Sequence, residues 1–149
     1  MRDDPRNGAW RLFLDVMLAH KERFSAALAK FDLSPPQAFL LRSLAPGAEI
    51  RMCHIASALS CDASNVTNLV DRLESRGLIE RQSDPADRRI RNIVLTKAGA
   101  KLRTQMLQEA FAPPESLSAL TPAELSTFES LLSRVLKAHQ ASEPDACAE

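Results

Sequence analysis

The sequence predicts a mainly α-helical chain that carries one small β-hairpin. Apolar residues recur at three- and four-residue spacing over most of its length, and Ser, Thr or Asp stands where those periodic stretches begin. Only Leu78 to Thr96 breaks the pattern, with two short apolar-rich runs joined by a polar turn, and Arg88, Arg89 and Arg91 at and just after that turn.

The 149 residues suit one domain with a real core, and 45% hydrophobic with 26% charged residues is an ordinary globular balance. No apolar run approaches the roughly 18 residues a membrane span needs. Met-Arg-Asp-Asp-Pro-Arg leads into an amphipathic segment, so a cytoplasmic location without a membrane partner is expected. Cys53, Cys61 and Cys147 are an odd, widely spaced set, which suggests reduced thiols. Net charge is zero, but its distribution is uneven: ten basic and six acidic residues leave +4 from Arg51 to Thr104, and the segment after Thr104 carries −5. The middle of the chain is therefore the part suited to face phosphate.

A first long helix is expected from about Gly8 to Phe31, with Trp10, Phe13, Leu14, Met17, Leu18, Phe24, Leu28 and Phe31 on a broad apolar stripe. Ser34 with Gln37 makes a capping box, Pro35 suits the first turn, and Ala38, Leu41 and Leu44 form the buried face. Met52 to Leu59 is a short helix with Ile55, Ala56 and Leu59 inward. Asp62 caps the next, which runs to about Arg76 with Val66, Leu69, Val70 and Leu73 on one stripe. Gly77 fits a left-handed end, and Leu78 closes the apolar contact that accompanies it. After the hairpin, Thr96 caps a helix from about Lys97 to Phe111. Thr121 and Glu124 box the start of a last helix, whose Leu125, Phe128, Leu131, Leu132, Val135 and Leu136 form another wide stripe. The terminal helices carry more apolar surface than a monomer needs, which predicts a homodimer.

Two short helices joined by a tight turn, then a basic hairpin, make a winged helix-turn-helix. One domain over 1–149 is expected, with a DNA-binding lobe at about 33–96 and dimerisation helices at about 8–31 and 97–140. The polar face of the second short helix offers Ser64, Asn65, Thr67, Asn68 and Arg72 to base edges and phosphates. Arg88, Arg89 and Arg91 would serve the wing, with a tip arginine in the adjacent minor groove and Asp87 as its orienting partner.

At this point the sequence resembles the MarR-type transcriptional regulators. The resemblance rests on Leu73-Glu74-Ser75-Arg76-Gly77-Leu78-Ile79-Glu80-Arg81, on Asp84-Pro85-Ala86-Asp87-Arg88-Arg89, and on Val94-Leu95-Thr96-Lys97-Ala98-Gly99. It implies a homodimeric winged helix-turn-helix protein on a pseudo-palindromic operator, with the fourth helix in the major groove and Arg89 in the minor groove. It further implies repression that a small phenolic or other amphipathic ligand, or thiol oxidation, relieves.

The signal input is less legible. His20, Arg23 and Arg42 are polar candidates among apolar neighbours, and a cation in an apolar cleft suits an aromatic acid. Cys61, just before the Asp62 cap, is the candidate for a redox-sensing alternative, while Cys53 is read as a small packed residue. Cys53 and His54 are adjacent instead of spaced for chelation, so no metal site is expected, nor any cofactor. No phosphate loop, nucleophile elbow or triad order suggests an enzyme. The rival class is a winged-helix interaction module that does not touch DNA, which the arginine-rich hairpin argues against.

Overall fold

In the computed structural model, which describes residues 4–59 and 62–142, the helical stretches become six α-helices around a small sheet. The first helix, α1 (Pro5–Ala29), begins earlier than expected because Asp4 caps it, accepting the backbone N–H of Arg6 at 2.9 Å, with Pro5 at the first position. Its stripe divides. Phe24, Leu28 and Phe31 reach the core, whereas Trp10, Leu14, Met17 and Leu18 lie exposed.

Helix α2 (Pro35–Ser43) starts as read, the Gln37 amide oxygen accepting the Ser34 backbone N–H at 2.9 Å. Ala38, Leu40, Leu41 and Leu44 are fully buried. Next come β1 (Ile50–Arg51) and α3 (Met52–Leu59), then α4 (Ala63–Ser75), which packs Val66, Val70 and Leu73 into the core. The expected hairpin is β2 (Ile79–Ser83) against β3 (Arg91–Leu95), in register Ile79 with Leu95 and Ser83 with Arg91. The sequence reading missed β1, which pairs Ile50 with Ile93 and completes a three-stranded antiparallel sheet in the order β1-β3-β2.

Helix α4 ends as its residues dictate. Gly77 is left-handed at φ +68°, its N–H donates to the Glu74 carbonyl at 2.8 Å, and the Leu78 N–H donates to Leu73 at 3.0 Å. The Leu78 carbonyl accepts the Thr96 N–H at 3.1 Å, and the Thr96 hydroxyl donates to the Gly77 carbonyl at 2.6 Å. Thr96 also caps α5 (Lys97–Glu109), accepting from the Gly99 N–H at 3.0 Å. Helix α6 (Pro122–Ser142) follows a 3₁₀ turn (Glu115–Ala119) that the sequence reading left out, and it buries none of its residues. Phe128, Leu131, Leu132, Val135 and Leu136 stay exposed on it.

One close approach constrains this arrangement more than any side chain. A Cβ on Gly99 would lie 1.8 Å from the Leu78 carbonyl oxygen and 2.8 Å from its carbon, both main-chain atoms. Gly99→Ala must therefore push α5 off the base of the wing, and it is expected to destabilise the fold by about 3 kcal/mol. A lowered urea midpoint at unchanged slope is the measurement that checks this. An unchanged midpoint would mean the junction yields freely.

Candidate nucleic-acid interface

Helix α4 is oriented by its buried stripe, which turns the opposite face outward. Ser64, Asn65, Thr67, Asn68 and Arg72 are all exposed there, as the sequence reading placed them. The cap beneath them is well made: Asp62 accepts the Asn65 backbone N–H at 2.9 Å and the Ser64 hydroxyl at 2.8 Å. Those two donors, the backbone one first, hold the Asp62 carboxyl below its ordinary range, so the helix start is fixed at neutral pH. Short polar side chains in the first turns of a capped helix are suited to base edges and phosphate oxygens.

The wing turn spans residues 84–90 and is built from its own acids. Asp84 accepts the Ala86 N–H at 2.8 Å, and its N–H donates to the Ile90 carbonyl at 3.1 Å. The Ala86 N–H foremost, then the Asp87 N–H, the Asn92 amide and the Arg51 charge, lower the Asp84 pKa against partial desolvation. Asp87 was read as orienting a guanidinium. Instead its carboxylate accepts the Arg89 backbone N–H at 2.9 Å, so it shapes the turn and leaves the arginine side chain to project. Arg88 and Arg89 are exposed and make no side-chain hydrogen bond or ion pair among the described residues. Arg91 differs, since its guanidinium donates to the Ser83 hydroxyl across the strands at 2.5 Å.

The sequence reading did not single out Arg81. From β2 its guanidinium pairs with Asp71 and Glu74 of α4, and its backbone N–H donates to Glu74 at 3.0 Å. Partial burial works against that charge, but Asp71 and Glu74 outweigh it and raise the guanidinium pKa.

The other candidates lie apart from this face. Arg42 sits 5.4 Å from the centroid of the Phe111 ring and lines a cavity of about 760 Å³ with Phe39, Ser43, Ala58, Leu59, Arg103 and Leu107. Arg103, also missed, donates from α5 to the Leu41 carbonyl at 3.0 Å and the Arg42 carbonyl at 3.1 Å, capping α2. His20 and Arg23 do not line that cavity; His20 lies 3.2 Å from the Ser116 hydroxyl. Cys61 falls outside the described residues. Cys53 is disulfide-bonded, which corrects its reading as a reduced, merely packed thiol. Among the described residues no group of His, Cys, Asp and Glu could hold a metal ion, and no helix is long and apolar enough to cross a membrane.

A capped helix with its polar face outward, backed by an antiparallel wing with free arginines, defines a winged-helix DNA-binding protein. The chain belongs to the MarR family, whose sequence profile matches residues 33–90. The transcriptional regulator HosA of Escherichia coli O111:H- is 31% identical over 136 residues, covering 89% of this chain and 98% of HosA. A mutant Escherichia coli MarR complexed with operator DNA superposes with TM-score 0.67 at 30% identity, covering 85% of this chain and 91% of that one. Bordetella bronchiseptica BpsR, whose DNA binding is regulated by 6-hydroxynicotinic acid, gives TM-score 0.70 at 26% identity over 84% of this chain and 90% of that one. The protein is thus a MarR-family transcriptional regulator that binds DNA.

The arginines and the helix face should separate in experiment. Arg89→Ala is expected to weaken binding to a duplex selected from a random pool by about tenfold, most where its flanks are A·T-rich. Asn68→Ala should instead relax sequence preference while affinity for unselected duplex holds. Equal losses on both duplexes would reduce Asn68 to a backbone contact, and an unaltered Arg89→Ala would remove the wing from the interface.

Proposed function

We propose that the protein is a homodimeric repressor that binds a pseudo-palindromic operator and is released when a small aromatic acid enters the cavity between α2 and α5. The observation that carries the release step is Arg103. It lines the cavity and, from α5, caps the last carbonyls of α2, so a group in the cavity acts on the seam between the long helices and the DNA-binding lobe. Two guanidiniums, Arg42 and Arg103, against Phe39, Leu59 and Leu107 suit a carboxylate on a flat ring. The regulation of BpsR by a hydroxylated pyridine acid supports the same class of ligand.

The dimer reading rests on the exposed stripes of α1 and α6. Trp10, Met17 and Leu18 are each more than half exposed, as is Val135, which is costly for residues of this size in water. A pair of such chains would place two recognition helices at a spacing of about one helical turn of DNA.

Both parts are tested with one preparation. The chain should sediment at twice its monomer mass and protect a selected duplex, with log affinity falling linearly against log salt by about 0.9 per phosphate neutralised. Millimolar benzoate or 6-hydroxynicotinate should release the duplex, and Arg42→Ala should blunt that response without changing affinity in its absence. Release by neither acid, or equal release from the variant, would move the effector site elsewhere.

A second reading has its own observation. Cys53, on the helix before the recognition helix, is disulfide-bonded, which favours a thiol-responsive input. Dithiothreitol should then change affinity for the selected duplex, and Cys53→Ser should abolish that change. Identical affinities with and without the reductant would dismiss this input.

A further inference from the structure

The face of α4 that presents Asn68 and Arg72 also carries an exposed acid, Asp71, three residues beyond Asn68. Glu74 lies another three residues on, half-buried beside the wing. Unanswered carboxylates there would repel the phosphates that the rest of the face attracts. Arg81 answers both at once, one terminal guanidinium nitrogen on Asp71 and the other on Glu74. Its main chain joins in, since the backbone N–H donates to the second Glu74 oxygen at 3.0 Å. The Arg81 side chain is only 24% exposed; its Asp71 partner is open to solvent at 56%, so the arm to Glu74, at 36%, is the better shielded of the two.

The geometry is more restrictive than a charge contact. A planar guanidinium held by two carboxylates has little freedom of distance or angle. Both acids stand on α4 and the arginine on β2, and only residues 76–78 separate these elements in the chain. The turn through Gly77 sets where β2 begins, and the Arg81 fork sets the angle at which it leaves.

We propose that Arg81 is a positioning residue for DNA recognition: by tying Asp71 and Glu74 to β2 it holds the recognition helix and the wing at one separation, so that both engage the same half-site together. Arg81 itself contacts no base. The inference rests on the reading of α4 and the Arg88–Arg89 tip as the two DNA contacts, and its test separates the two ideas.

The full-length chain and its variants are titrated against a duplex that the unmodified chain selects from a random-sequence pool, and against the unselected pool. Arg81→Gln is expected to lower affinity for the selected duplex about tenfold while changing pool affinity less than about threefold. Arg81→Lys, which keeps the charge and loses the fork, should recover only part of that loss. Combined Asp71→Asn and Glu74→Gln removes the clamp and leaves no bare acid on α4. Selected-duplex affinity should still fall, whereas a role in charge masking alone predicts unchanged or tighter binding, and that result overturns the proposal. Should Arg81→Gln fail to fold, this double variant carries the test, with thermal melting as its control. Arg89→Ala is measured alongside: insensitivity there removes the two-contact reading itself, while sensitivity at Arg89 with none at Arg81 removes the positioning role alone.

Discussion

The Leu78 carbonyl is the point on which the rest of the structure turns. The N–H of the same residue closes the end of α4 on the Leu73 carbonyl, while the Leu78 carbonyl stands just before β2, receives the Thr96 N–H from the end of β3, and lies against Gly99 at the start of α5. Four segments converge within a few ångströms, and each is admitted for a local reason. Gly77 supplies the left-handed residue, Thr96 supplies a hydroxyl that donates to Gly77 and accepts from Gly99, and Gly99 has no Cβ to collide. The Leu95-Thr96-Lys97-Ala98-Gly99 run, one of the stretches that carry the family resemblance, is thus a packing requirement. It fixes α4 and the wing relative to α5, which follows.

Electrostatics explain how a chain of zero net charge serves a polyanion. From Arg51 to Thr104 there are six acids, and each accepts a hydrogen bond within the protein. Asp62 caps α4, Asp71 and Glu74 hold Arg81, Glu80 takes the Gln82 amide, and Asp84 and Asp87 take turn amides. Arg72, Arg88 and Arg89 are given no such partner among the described residues. The acids are each engaged by a donor within the protein while these guanidiniums are left without one, so formal charge understates the local field.

Local chemistry was legible in the sequence and tertiary pairing was not. Caps at Ser34, Asp62, Thr96 and Thr121, the glycine at 77 and the stripe of α4 each act within a few residues, and each was read correctly. The two-residue strand β1 has too little sequence to show any alternation. Arg81 reads as one more polar residue in a strand until the turn at Gly77 brings Asp71 beside it. Arg103 looks like an ordinary helix-surface cation, because the carbonyls it caps lie about sixty residues earlier. Asp87 was recognised as a restraint, but not that it would bind the main chain, since sequence does not choose between a neighbour's amide and its side chain.

The wing turn, finally, reaches its shape without help. Five of its backbone N–H groups, those of Asp84, Ala86, Asp87, Arg89 and Ile90, already have partners within the loop, and Pro85 narrows what the chain could otherwise sample. The conformational entropy of ordering this loop is therefore surrendered when the protein folds, not when it meets a duplex. On the proposed wing contact, a turn set in advance would let a short tip with two unpaired guanidiniums, Arg88 and Arg89, contribute to affinity. It also places a kinetic signature on the complex: association should run near the rate that electrostatic steering allows, with no slow step for a loop to find its form.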